Sequence, residues 1–130
     1  MTFKEFIKPI DELAMKYGFE KEPVDPNVNT HFYYIPVGKT QVQFYFYEVF
    51  NSNYVLMGCI RGLQEYTSIK GSHIVSKCDE YVSYDKFEDL DLDMLENWMK
   101  AQNEVVARHN QYLKGKEVKN KLKKASKDFE

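Results

Sequence analysis

Apolar residues recur near the start of the chain at intervals of three and four: Phe3, Phe6, Ile7, Ile10, Leu13, Ala14 and Tyr17. That spacing lines one side of a helix, so a helical segment is predicted over residues 2–17. Thr2 followed by Glu5 fits a capping box. Pro9 conflicts with an uninterrupted helix, because it lacks the N–H for residue 5 and its ring crowds that carbonyl. Two outcomes stay open: a kink at Pro9, or a helix that begins there with Asp11 and Glu12 in its first turn. Gly18 suits the C′ stop, with Phe19 able to fold back on the last turn. Pro23 and Pro26 mark residues 20–30 as a loop.

From His31 the period changes to two. Residues 31–37 and 40–50 alternate on either side of Gly38-Lys39. Glycine as the first of two loop residues suits a type II′ hairpin turn. That turn sets Ile35 opposite Val42, Tyr33 opposite Phe44 and His31 opposite Phe46 on one face. The other face then carries Phe32, Tyr34, Gln41, Gln43, Tyr45 and Tyr47. Pro36 has no N–H for a ladder, which places the first strand at an edge there. Asn51-Ser52-Asn53 makes another turn into a third strand, Tyr54–Ile60. This strand is apolar on both sides, as in a central strand covered on both faces.

Residues 62–84 allow one or two more strands, Leu63–Ile69 and His73–Tyr84, separated by Lys70-Gly71-Ser72. The helical period returns at Asp91 or Asp93. Asp93 with Glu96 reads as an N-cap and capping box, and Leu95, Trp98, Met99, Val105, Val106, His109 and Leu113 mark the buried stripe. Gly115 interrupts it. Beyond, residues 116–130 keep Val118, Leu122, Ala125 and Phe129 at helical spacing in a lysine-rich, amphipathic segment. Strands bracketed by helices give an α+β domain: an N-terminal helix, a three- to five-stranded antiparallel meander, and a long C-terminal helix with a basic helical extension. The expected division is a domain over 1–114 and an extension over 115–130.

Length agrees with one domain: 130 residues bury a core without disulfide or metal staples. A net charge of −2 argues against a strongly basic nucleic-acid binder and against a wholesale acidic mimic of DNA. The near-neutrality is a cancellation, however. Residues 79–104 hold nine acidic and two basic groups, and residues 105–130 hold eight basic and three acidic ones. Only Arg61 and Arg108 are arginines among 18 basic residues. That bias, with many Asn, Tyr and Phe, is what AT-rich coding produces, and it hints at a low-GC bacterium, its phages or its plasmids. Cys59 and Cys78 stand alone, without CxxC spacing, and read as reduced thiols of a cytoplasmic protein. No signal-peptide pattern opens the sequence, and no apolar run reaches membrane-span length.

Candidate chemistry is sparse. Asp89-Leu90-Asp91-Leu92-Asp93 begins like a calcium loop, but position six is Met94 and position twelve is Lys100, where glycine and glutamate are needed. Helix capping explains these aspartates better. His31, His73 and His109 lack metal-ligand spacing, and His109 reads as a hydrogen-bonded structural histidine. Cys59 beside a histidine is a formal nucleophile, without support from its core-strand surroundings. Neither phosphate-loop glycines nor Gly-x-Ser-x-Gly occurs. No catalytic residue, metal or cofactor is therefore assigned.

The suggestive feature is aromatic content of 15%, concentrated in the strands. Phe32, Tyr34, Tyr45 and Tyr47 on one sheet face suit either a protein interface, where aromatics are enriched, or stacking of single-stranded bases. Base stacking also needs cations for the phosphates, which the tail supplies through Lys119, Lys121, Lys123 and Lys124. The structural alternative, favoured over nucleic acid, is that a helix covers each face or that the tyrosines line a half-exposed face with wet hydroxyls. Asp85, Glu88, Asp89 and Asp91 belong to a second candidate surface, facing a basic partner; a solvated loop and helix first turn is the simpler explanation. The expectation is a non-enzymatic protein-interaction module, such as a phage- or plasmid-encoded modulator of a host complex. Single-stranded nucleic-acid binding is the alternative, and a second copy of the chain is a further candidate partner.

Overall fold

A computed structural model describes residues 1–50 and 52–128, with the side chains of those residues up to 124. Asn51 of the expected turn, Phe129 and Glu130, and the side chains of Ala125 and Lys127 lie outside the described residues. Helix α1 spans Phe3–Lys16. The Glu5 amide donates to Thr2 Oγ1 at 3.2 Å and the Thr2 amide to Glu5 Oε2 at 3.4 Å, closing the capping box. The helix therefore starts ahead of Pro9 and runs through it, which decides between the two outcomes left open by the sequence. At its end the Gly18 and Phe19 amides donate to the Met15 and Ala14 carbonyls, a Schellman closure.

Five strands follow: β1 (Glu20–Lys21), β2 (Thr30–Val37), β3 (Thr40–Glu48), β4 (Leu56–Ser68) and β5 (Gly71–Tyr84). They form one antiparallel meander in chain order. Gly38 has φ +60°, as the first residue of a type II′ turn requires, and it sets Ile35 opposite Val42, Tyr33 opposite Phe44 and His31 opposite Phe46. Strand β1 pairs with Tyr33 and Tyr34 only, so Pro36 sits where β2 has no outer neighbour. The uncertain stretch 62–84 is one long hairpin with β4. Its two-residue turn is Ile69-Lys70, slightly earlier than Lys70-Gly71-Ser72. Beyond Arg61, β4 pairs only with β5, making a two-stranded ribbon that leaves the sheet. The register slips between Ile60 and Arg61, leaving Asp79 as the extra residue of a bulge.

A 3₁₀ turn at Phe87–Asp89 leads to α2, Leu92–Asp128. Its cap is Asp91, whose Oδ1 accepts from the Asp93 and Met94 amides at 3.0 and 3.2 Å. The expected Asp93–Glu96 box does not form, because the Glu96 carboxylate takes the Tyr17 hydroxyl (3.0 Å) and Lys16 (3.3 Å) instead. Gly115 does not break the helix; its 37 residues run continuously over about 55 Å. Packing ends well before the helix does, and residues 114–124 are all exposed.

Both helices lie on the same face of the sheet. Phe6 of α1 meets Phe46 edge-on at 6.0 Å, and Phe3 meets His31 at 5.3 Å. Trp98 of α2 stands edge-on to Phe44 at 5.9 Å, and Tyr33 stacks on Phe44 at 4.5 Å. The core is thus a two-layer sandwich of helices on Tyr33, Val42, Phe44, Phe46, Leu56, Ile60 and Val82. Strand β4 is central but covered on one face only, contrary to the doubly covered strand expected from its apolar run. Among the described residues no helix is long and apolar enough to cross a membrane.

Candidate functional site

Among the described residues no helix lies over the second face of the sheet, and the strand registers order its side chains into rows. Phe32, Tyr45, Cys59 and Tyr81 stand side by side across β2, β3, β4 and β5. Tyr47, Met57 and Ser83 form a row on one side of these, and Tyr34, Gln43, Arg61 and Cys78 a row on the other. The rings are organised among themselves. Phe32 and Tyr45 lie near parallel at 6.4 Å, and so do Tyr45 and Tyr47 at 6.3 Å. Tyr47 Oη donates to Met57 Sδ at 3.7 Å, and the Gln41 amide donates to Gln43 Oε1 at 2.8 Å. Phe32, Tyr34, Tyr45 and Tyr47 are half-buried by one another, while Tyr81 is 72% exposed. Burial, with Cys59, Tyr47 and Tyr81 alongside, pushes the Tyr45 phenol above its ordinary range, so it stays a neutral donor.

All four aromatic residues expected on this face are brought together. Met57, Arg61 and Tyr81 join them without having been anticipated. For Tyr81 the missing information was the bulge at Asp79, which decides the face of every later residue of β5. Arg61 is the only cation in the three rows, and Glu20 of β1, opposite Tyr34, extends the last of them with an exposed carboxylate.

The acidic segment divides by role. Asp79, re-aimed by the bulge, accepts the Trp98 indole N–H at 2.8 Å, and Asp91 caps α2. Tyr17 first, and then Lys16, hold the Glu96 carboxyl below the usual carboxylate range. Asp85, Glu88 and Asp89 are exposed around the 3₁₀ turn and make no ion pair among the described residues.

The lysines of the tail spiral around the free end of α2. Lys119, Lys123 and Lys124 are exposed, and Lys121 is exposed and pairs with Glu117 at 3.5 Å. Residues of α2 as far as Val106 pack on the helix-covered face, and this cationic segment beyond them is exposed and is not part of the aromatic rows. The two components of a single-stranded nucleic-acid site are not brought onto one surface.

Among the described residues the formal nucleophile has no base beside it. Cys59 Sγ lies 3.4 Å from Cys78 Sγ, both thiols being free, and burial pushes the Cys59 thiol up to about 11. Activation of a cysteine requires a shift in the other direction. Each histidine is instead set against a different ring: His31 against Phe3, His73 against Tyr66, His109 against Tyr112. His109 is buried as expected, but its Nδ1 has no hydrogen-bond partner. Among the described residues no three His, Cys, Asp or Glu side chains are grouped to hold a metal. Compared with protein-family models, curated proteins and solved structures, the chain matches none.

Proposed function

We propose that the protein is a non-enzymatic interaction module that binds another protein through the open sheet face. The observation that carries this reading is the composition of the uncovered rows: Phe32, Tyr34, Tyr45, Tyr47, Met57 and Tyr81 around Arg61, with Glu20 as a carboxylate at the β1 edge. Tyrosine, methionine and arginine are the residues enriched at the centres of protein interfaces, where lysine and glutamate are depleted. Tyrosine also orders on contact at low entropic cost, having two side-chain torsions, and here stacking already restrains the rings. A single-stranded nucleic acid needs a cationic groove along the same bases, and the lysine-rich tail is not part of the aromatic rows. The compositional hint of AT-rich coding fits a mobile-element protein acting on a host complex, and the partner class follows from that hint alone.

The test is affinity capture by the full chain, compared with a Tyr34→Ser, Tyr45→Ser, Tyr47→Ser variant. A specific partner is expected with the wild type and absent with the variant, while both melt as folded proteins. Equal capture by both, or background alone from the wild type, overturns the reading. So does salt-sensitive binding of labelled single-stranded oligonucleotides that the same triple substitution abolishes.

A further inference from the structure

Three lysines from three separate elements converge on one concavity away from the aromatic face. Lys39 comes from the β2–β3 turn, Lys70 from the turn at the end of the β4–β5 ribbon, and Lys116 from α2. With Tyr66, His73 and His109 they line a cavity of about 710 Å³. Small-molecule sites occupy roughly 300–1,000 Å³. An adjoining hollow of about 420 Å³ shares Lys70, Tyr112 and Lys116 and adds Lys119.

Three properties set this place apart from the lysines spiralling along the tail. First, among the described residues no carboxylate lines either hollow, in a chain with 20 acidic residues. The acidic group on the adjacent ribbon, Glu65, is held by Arg108 at 2.6 Å, and Lys39, Lys70 and Lys116 make no ion pair among the described residues. Second, His109 is only 8% exposed, lines the cavity, and has an Nδ1 without a hydrogen-bond partner. Buried polar atoms are nearly always paired, and a ligand oxygen is a partner this one lacks. Third, the walls are preformed. Tyr66 and His73 stack at 5.5 Å and 28°, and His73 Nε2 is hydrogen-bonded to Ser68 Oγ at 2.9 Å. The ribbon is seated on α2 where Gly71, at φ +119°, admits the Tyr112 hydroxyl into the space a Cβ would fill.

We propose that this cavity binds a small phosphomonoester carrying a planar ring, of the size and chemistry of a nucleoside monophosphate. The phosphoryl group sits among Lys39, Lys70 and Lys116 with His109 as a further partner, and the ring lies beside the Tyr66–His73 pair. Multiple ammonium contacts without competing carboxylates suit a phosphoryl dianion, and the aromatic pair suits a flat ring.

Calorimetric titration of the full chain with adenosine monophosphate, inorganic phosphate, adenosine and a short poly-dT strand tests it. Saturable binding of the nucleotide is expected, tighter than of phosphate, with none of adenosine. Each of Lys39→Gln, Lys70→Gln and Lys116→Gln should weaken it about tenfold, as loss of one charge-assisted contact does. A Lys123→Gln, Lys124→Gln control on the tail should leave it unchanged, and all variants should melt as the wild type does. The proposal is overturned by no nucleotide binding at millimolar concentration, by equal binding of adenosine or of phosphate, by binding of poly-dT alone, or by equal weakening in the tail control.

Discussion

Phe44 and Tyr45 are neighbours on β3 that point to opposite sides of the sheet, and truncating each should give very different losses of stability. Phe44 is fully buried, with rings of Tyr33, Phe19, Phe46 and Trp98 at 4.5, 5.2, 5.7 and 5.9 Å. Phe44→Ala removes all four contacts and leaves a cavity in a close-packed layer, a cost of about 3–5 kcal/mol. Tyr45 is half-buried and touches only members of its own face, chiefly Phe32 and Tyr47. Each such neighbour pair on a sheet is worth roughly 0.2–1 kcal/mol, so Tyr45→Ala should cost about 1 kcal/mol. At about 4 °C per kcal/mol for a domain of this size, the two melting shifts differ by a factor of at least three by the same estimate. Urea unfolding followed by circular dichroism measures both, and Phe44→Leu supplies a milder partner if Phe44→Ala does not fold. Equal costs for the two alanine variants would refute the assignment of an uncovered face. If the Tyr45→Ala cost then grew with protein concentration, the cover would be a second copy of the chain.

Two further outcomes follow from the α2 contacts. Gln102→Ala removes the Oε1 that accepts the buried Leu63 amide at 2.9 Å, and should cost about 1–3 kcal/mol in urea unfolding; a loss near zero would mean that amide has another partner. Acidification should lower the melting temperature, because Glu96 is held below the usual carboxylate range by Tyr17 and Lys16, and Glu65 by Arg108. With folded values below unfolded ones, that stabilisation is complete above the ordinary carboxylate pKa of about 4.3 and is lost as the pH falls through the depressed values. Both carboxylates are half-buried but pair with exposed cations at the surface, so the effect is small and weakens with salt; a Glu65→Gln, Glu96→Gln variant should show a flatter acid limb, and an unchanged limb would place the acid sensitivity elsewhere.

The parts of this fold that could be read from the chain are those set by local chemistry. Gly38-Lys39 determines one hairpin register, and from it follows the full division of β2 and β3 into two faces. Thr2 and Glu5 locate the start of α1 although Pro9 argues for a later one. What escaped was decided by residues far apart in sequence. Asp91 and Asp93 are chemically equivalent caps; Glu96, drawn away to Lys16 and Tyr17, removes the capping-box advantage of Asp93. The ribbon at the end of β4 and β5 mixes exposed and half-buried positions without a clear period, so its number of strands stayed open in the sequence. The lysines of the cavity are numbered 39, 70 and 116, and nothing in a linear pattern joins them.

The choice of tyrosine over phenylalanine marks the two faces most clearly. On the covered face Tyr33 is buried, and its hydroxyl donates to Asp11, whose carboxylate also receives Lys21 at 2.8 Å. There the phenol is a satisfied core group, and burial together with Asp11 pushes its ionisation far upward. On the open face Tyr45 stacks with Phe32 and Tyr47, and Tyr34 tilts against Phe32, in a half-buried layer. A phenylalanine at these positions would bury no more area and would give up the polar edge. The phenol keeps each ring tolerable in water and leaves a donor and acceptor ready for a partner. Two helices on one face, rather than one on each, are what make that arrangement necessary: the sheet must present nearly half its side chains outward, and tyrosine, glutamine, Arg61 and Glu20 give polar edges to a face that also carries Phe32 and Met57.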